Sequence, residues 1–283
     1  MANLKTLKVK TSLIGAFLLA LAFAVCASAV HLAPESRRQE KQEGGASTPE
    51  GKALLAKVVE GLGGETNLRS VRSTRTKSHL LTRTFMGDVP REIEKVFVFP
   101  DRLWEEVVMP GSKMSVGISS VAAFINLPTV KDDSIKMPKG PVDLPASQKE
   151  ETLRELKSDP LFVAQHGHDP KFTFSAGGSQ KVGEVEAKIL DVNADGVVVR
   201  WLIDPHTGQI LRISGHVLWT GGPGEQVIDL DDWKIVQGIS VPFKATIAHG
   251  GQPSGWVEIK EFEINPRVDP KLFEKPKVGP GKE

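Results

Sequence analysis

Several places in this 283-residue chain bring together residue types that do chemistry. Asp191-x-Asn193-x-Asp195-Gly196 matches the first half of a calcium loop, in which oxygens at alternate positions wrap a hard cation. That loop needs a bidentate Glu at its twelfth position, and here the position holds Leu202. Its flanks also read as strands where such a loop needs helices. The four residues Asn193 to Gly196 are therefore read as a hairpin turn, with Asn, Asp and Gly supplying positive φ. His166-Gly167-His168-Asp169 could offer a metal two imidazoles, given a third ligand from elsewhere. Beside Gly and Pro at a helix end, a solvated cap and turn is the plainer reading. His79, His206, His216 and His249 are scattered singly, and Asp229, Asp231 and Asp232 sit on a strand or turn where they are most simply solvated. No Ser lies in a Gly-x-Ser-x-Gly context and the single cysteine is Cys26, so no nucleophile stands beside a base. The expectation is a protein that is not an enzyme and uses no cofactor or metal.

The apolar residues say more. Phe97, Phe99, Leu103, Val107, Met109, Trp201, Ile203, Trp219 and Phe243 can all be placed on one concave face, with Leu153 and Leu156 on a helical lid over it. A packed core accounts for many of them. A strongly curved sheet of about ten strands capped by two helices, however, encloses more volume than its side chains fill, as ligand-holding barrels do. An apolar-ligand cavity is the functional expectation that follows.

The elements that must position this set begin with Val197 to Ile213. Two runs rich in β-branched residues flank Asp204-Pro205-His206-Thr207-Gly208, which is turn chemistry between antiparallel strands. In the first arm Val197, Val199, Trp201 and Ile203 share one wholly apolar face; Val198, Arg200, Leu202 and Asp204 share the other. Upstream, Thr48 as N-cap and Pro49 at the first position open a helix whose Leu54, Leu55, Val58, Val59 and Leu62 recur at helical spacing, until Gly61, Gly63 and Gly64 stop it. From Ser73 the period becomes two. Strands are expected over Ser73–Phe85, Arg91–Phe99 after a turn at Met86–Pro90, Arg102–Met109, Lys113–Ile118 and Ala122–Leu127. Ile93, Phe97 and Phe99 alternate there with Glu92 and Glu94, and Leu103, Val107 and Met109 with Arg102 and Glu106, giving each strand a dry and a wet side.

Pro128 to Pro145 reads as a charged, proline-rich loop. A helix then runs from Ala146-Ser147 to about Gln165 with a break at Asp159-Pro160, placed to cover the open mouth of a sheet. Beyond it strands are expected over Phe172–Ala176, Gln180–Val182, Glu184–Val192, Gln209–Trp219, Gln226–Trp233 after a turn at Gly221–Gly224, Ile239–Ala248 and Gly255–Ile264. Asn265 to Glu283 reads as a Pro/Lys-rich tail.

The N-terminus fixes the expected compartment. Three lysines precede the apolar Ser12–Val25, and Ala27-Ser28-Ala29 forms an A-x-A site, so residues 1–29 read as a secretory signal peptide cleaved after Ala29, with an uncleaved membrane anchor as the alternative. The 14-residue apolar run (Ser12–Val25) falls short of the roughly 20 residues that span a bilayer as a helix. Val25 stands before Cys26 where a lipoprotein signal carries a small residue, which argues against lipidation. Removal of residues 1–29 takes Lys5, Lys8 and Lys10 and no acid, leaving 33 basic against 35 acidic residues, 36 less three against an unchanged 35. Such a balance gives no reason to expect a nucleic-acid partner. Residues 30–48 read as a disordered tether, 49–275 as one domain and 276–283 as a flexible tail.

Three stretches carry a resemblance. They are Arg200-Trp201 with Asp204-Pro205-x-Thr207-Gly208-x-Ile210; Asp231-x-Trp233 with Gly238-Ile239-x-Val241-Pro242-Phe243-Lys244; and Val257-x-Ile259 with Ile264-Asn265-Pro266-x-Val268-Asp269-Pro270-x-x-Phe273. Together they resemble the periplasmic lipoprotein-sorting carriers of the LolA/LolB type, best over residues 170 to 275 and more loosely over 50 to 127. The resemblance implies a mainly β fold, a single antiparallel half-barrel of about ten or eleven strands with helices over its concave face, carrying acyl chains inside and bringing no catalytic residues. The chain departs from that family in having no tyrosine and a long loop near 128–145. The functional expectation is an exported, monomeric carrier or receptor for lipid or lipoprotein acyl chains, served by a membrane-bound donor or acceptor protein. The alternative is an accessory envelope module whose sheet binds a protein partner and whose interior is simply filled.

Overall fold

The computed structural model describes residues 46–84, 87–127, 140–219 and 222–277. The signal segment 1–29, most of the tether 30–48, most of the loop 128–145 and the end of the tail lie outside the described residues. Helices α1 (Pro49–Gly61) and α2 (Glu65–Ser70) come first. Six strands follow: β1 (Ser73–Thr84), β2 (Gly87–Val98), β3 (Arg102–Met109), β4 (Ser112–Ile118), β5 (Ala123–Asn126) and β6 (Pro141–Asp143). After helices α3 (Ala146–Leu156) and α4 (Pro160–His166) come β7 (Phe172–Val182), β8 (Val185–Ala194), β9 (Val197–Ile203), β10 (Ile210–Trp219), β11 (Gly222–Val236), β12 (Ile239–His249) and β13 (Gln252–Ile264).

All thirteen strands make one antiparallel sheet, in the order β6-β5-β4-β3-β2-β1-β13-β12-β11-β10-β9-β8-β7. It is two meanders joined where the first strand pairs with the last, Leu80 opposite Val257. The sheet is an open half-barrel whose edges are β6 and β7, so the chain between them must travel from one edge to the other. Helices α3 and α4 are that connection. They lie across the mouth as a strap, and their Leu156, Phe162 and Val163 join the same buried core as the sheet's inner face.

Local sequence accounts for the helix ends. The Thr48 hydroxyl accepts from the Gly51 N–H at 3.0 Å, and the Asp159 carboxylate accepts from the Leu161 and Phe162 N–H groups, with Pro160 at the first position of α4. The expected helix from 146 to about 165 is thus two helices, broken at Asp159-Pro160. Gly63, at φ +120°, also answers a tight approach, because a Cβ there would stand 2.0 Å from the Gly238 carbonyl oxygen.

Several expected boundaries are corrected. Of the turn expected at Met86–Pro90, Met86 lies outside the described residues and Gly87–Pro90 already belong to β2, with Pro90 opposite Leu81. On the other side β3 pairs with β2 from Glu92 onward, so Pro90 faces no β3 partner that its missing N–H would deprive. Phe172–Ala176 and Gln180–Val182 are one strand interrupted by a bulge between Ala176 and Ser179. The strand expected from Gln226 starts at Gly222, paired with Trp219. The loop Pro128–Pro145 contributes the short edge strand β6. Within Asn265–Glu283, Asp269 caps a 3-10 turn, Pro270–Phe273, and buries Phe273. Thirteen strands therefore replace the ten or eleven anticipated.

Candidate functional site

Strand parity sets the inner wall. On β9, Val199, Trp201 and Ile203 face the core, joined by Leu190 and Val192 of β8, Ile228 of β11 and Val241 and Ala245 of β12. On β2 and β3, Ile93, Phe97, Leu103 and Val107 do the same, with Phe97 directly opposite Leu103 and Ile93 opposite Val107. Of the residues expected to line the cavity, Phe97, Leu103, Val107, Trp201 and Ile203 are buried, and Trp201, Leu103 and Ile203 show 0% exposure. Phe99, Met109 and Phe243 are half-buried at the margin of the same cluster. Phe99 meets Phe97 edge-on with ring centroids 4.5 Å apart, and the Lys234 ammonium stands 4.3 Å from the Phe243 ring centre. Trp219 ends β10, but its side chain lies outside the described residues.

The strap meets this wall through aromatics. Phe162 stacks on His166 at 4.1 Å and approaches Phe97, Phe99 and Phe172 at 6.5, 5.8 and 6.2 Å. Of the two residues expected on the lid, Leu156 is fully buried and Leu153 half-buried. The strap's outer fastenings are polar: Lys149 Nζ donates to the Ser120 carbonyl at 2.8 Å, Lys157 pairs with Asp195, and Gln165 donates to the carbonyls of Leu68 and Val71.

Most of the candidate cation ligands are engaged elsewhere. Asn193–Gly196 is the hairpin turn between β8 and β9, with Asp195 at φ 52° and Gly196 at φ 93°. Asp191 takes both nitrogens of Arg200 at 2.7 and 3.1 Å, and Asp195 takes Lys157, whose contact holds the Asp195 carboxyl below its usual range. His166 Nδ1 lies 2.9 Å from the Phe162 carbonyl oxygen. Asp229 and Asp232 are less simply solvated than expected, pairing with Arg212 and Lys234.

Parity also places three charged residues on the dry side. Arg91 and Lys95 on β2 and Glu105 on β3 are buried, Glu105 at 1% exposure. Burial lowers the pKa of both cations and pushes the Glu105 carboxyl up to about 7, against the opposing pull of Lys95. Asp159 is likewise raised by burial and drawn back by Lys95. The signal was present in the sequence: Lys95 shares parity with Ile93 and Phe97, and Glu105 with Leu103 and Val107. A polar residue in an alternating run escapes notice when only its apolar neighbours are counted.

No protein-family profile matches the sequence, and no curated protein is significantly similar to it. Solved structures do share its architecture. A LolA superfamily protein from Nitrosomonas europaea superimposes with a TM-score of 0.50 at 9% identity, over 80% of this chain and 97% of that one. A DUF1329 family protein from Desulfovibrio piger gives 0.50 at 10% identity, over 80% and 98%. At such identities the likeness concerns backbone architecture. By its fold, the chain is LolA-like.

Proposed function

We propose that the protein is an exported, non-enzymatic carrier or receptor that shields an alkyl chain inside the half-barrel, in traffic of lipids or lipoproteins across the cell envelope. One observation carries the reading: a concave wall that is largely hydrocarbon, crossed by a strap whose outer fastenings are a few polar contacts. Each acyl CH₂ withdrawn from water is worth about 0.8 kcal/mol, so cargo leaves a membrane only for a protein offering comparable dry surface. Phe97, Phe99, Leu103, Val107, Met109, Trp201, Ile203, Trp219 and Phe243 are the proposed lining, with Leu153 and Leu156 on the lid. With Trp201 and Leu103 closed to solvent, admission of a chain requires the strap to lift, a shift between a closed state and an open one that cargo favours. The compartment follows from the signal-like residues 1–29.

The same full burial favours a second reading, an accessory module whose interior is simply filled and whose sheet binds a protein partner. Delipidated protein titrated with a fluorescent fatty acid separates the two. Saturable uptake, weakened in Phe99→Lys and Met109→Lys at unchanged fold, supports the carrier. Absence of uptake by the wild-type protein supports the filled module.

A further inference from the structure

The inner wall beneath the strap carries a charged cross-strand pair. Lys95 of β2 stands directly opposite Glu105 of β3. The row runs on through Thr76 on one side and through Val116 and Ile125 on the other. The rows flanking it along the strands are Phe97, Leu103 and Ile118, and Ile93, Val107 and Met114. Lys95 is 7% exposed, and neither carboxylate oxygen of Glu105 has a hydrogen-bond partner. Facing them from the strap is Asp159, the N-cap of α4, whose charge and that of Lys95 act on each other. The three share a field without closing an ion pair. Removing charges from water is costly unless hydrogen bonds and close pairing repay it; Asp159 is repaid by the Leu161 and Phe162 N–H groups, whereas the Glu105 carboxylate has no such partner. A purely hydrocarbon cargo has no use for this arrangement, nor has a core that merely stays packed.

We propose that Lys95 is the internal docking point for the anionic head of an alkyl-chain cargo, a carboxylate or a phosphate ester. The head takes the place of Asp159 as counter-ion to Lys95 while the chain lies along Phe97, Phe99, Leu103 and Val107. The inference rests on the carrier reading and narrows it to amphiphiles with an ionised head. An uncharged diacyl anchor gives Lys95 nothing. Binding is also coupled to the strap, because an anion at Lys95 offsets the longer-range attraction between Lys95 and the Asp159 carboxylate that α4 presents to it. Glu105 beside it, its carboxyl pushed up to about 7 by burial, offers an O–H donor to the arriving anion when it is protonated, with Lys95 opposite it on β2, Asp159 on the strap and Arg91 four residues before Lys95 along β2. Asp159 still caps α4 through the Leu161 and Phe162 N–H groups, so the helix survives the exchange.

The test is displacement of a neutral fluorescent probe from the delipidated full chain by hexadecanoic acid, its methyl ester and hexadecyl phosphate. In the wild-type protein at least one of the two anions should bind about tenfold more tightly than the ester; which of them does so separates a fatty acid from a phospholipid source. Lys95→Met should erase that preference, and Asp159→Asn should strengthen anion binding several-fold by removing the competing carboxylate. Equal binding of ester and anions by the wild-type protein, or a preference that survives Lys95→Met, overturns the assignment of Lys95 and leaves the carrier reading standing. Failure of all three compounds to bind overturns both. Should Lys95→Met not fold, the wild-type ratio and the Asp159→Asn shift decide the matter.

Discussion

Helix α1 and the strap α3–α4 cover the same wall and are held to it by different means. The first is seated by backbone: the Thr48 N–H donates to the Phe174 carbonyl at 2.9 Å at one end, and the Ser240 N–H to the Leu62 carbonyl at 3.0 Å at the other. Between them Gly208, at φ +75°, lets the β9–β10 turn press so close that a Cβ would lie 2.1 Å from the Lys57 carbonyl oxygen. The strap touches the sheet through side chains, and beneath it lie Lys95 and Glu105, whereas α1 packs on β7 and β8, where Leu190 and Val192 stand beside Trp201 and Val199 of β9. A covering that never moves can be locked by backbone contacts over unbroken hydrocarbon. On the carrier reading, a cover that lifts is held by side chains alone, here polar fastenings at its rim and the packing of Leu156, Phe162 and Val163, and the charges beneath it weaken the closed state. On the proposed carrier reading, the half-barrel divides into a fixed floor and a releasable cover.

Substitutions should separate the two regions, beginning with the largest effect. Trp201→Ala removes the largest fully buried side chain of the floor and is expected to cost about 3–5 kcal/mol in denaturant unfolding. A loss below about 1 kcal/mol would mean that the floor is not packed as described.

Glu105→Gln should act in the opposite sense. The folded-state pKa of Glu105 is raised from 4.5 to about 7, so the wild-type protein binds that proton more tightly folded than unfolded. Its contribution to stability is complete below pH 4.5 and is lost as pH climbs through about 7. The variant lacks the decline and should be the more stable at pH 8 by up to about 3 kcal/mol. Unfolding curves of both proteins across that window are the measurement, and parallel curves would remove Glu105 as the source.

Asp159→Ala loses the α4 cap and should cost about 1 kcal/mol, felt in amide exchange of the strap and not of α1. Lys149→Ala, which cuts one exposed fastening, should change global stability by less than about 0.5 kcal/mol while speeding release of bound probe. If release is no faster, that fastening does not gate the mouth.

The division between floor and cover was partly legible in the sequence. Alternation in Val197–Ile203 marked the floor strand, Thr48-Pro49 marked the start of α1, and Asp159-Pro160 marked the break in the strap, because these signals are local. What escaped were features that arise only when distant segments meet. The contacts of Gly63 with Gly238 and of Gly208 with Lys57 join the first helix to the far end of the chain, and no spacing within either segment announces them. Lys95 and Glu105 were readable by parity but stood among apolar neighbours that dominated the pattern. Strand β6 is three residues long and proline-led, too short to show any period.

Hydrogen exchange, read along the chain with and without an added amphiphile, tests the central claim most directly. Amides of α3 and α4 should exchange at least about a hundredfold faster than those of α1 in the delipidated protein, as expected of a locally opening unit, and should gain protection when cargo binds. Equal protection of α1 and the strap, unchanged by any amphiphile, would contradict the division of the half-barrel into floor and cover.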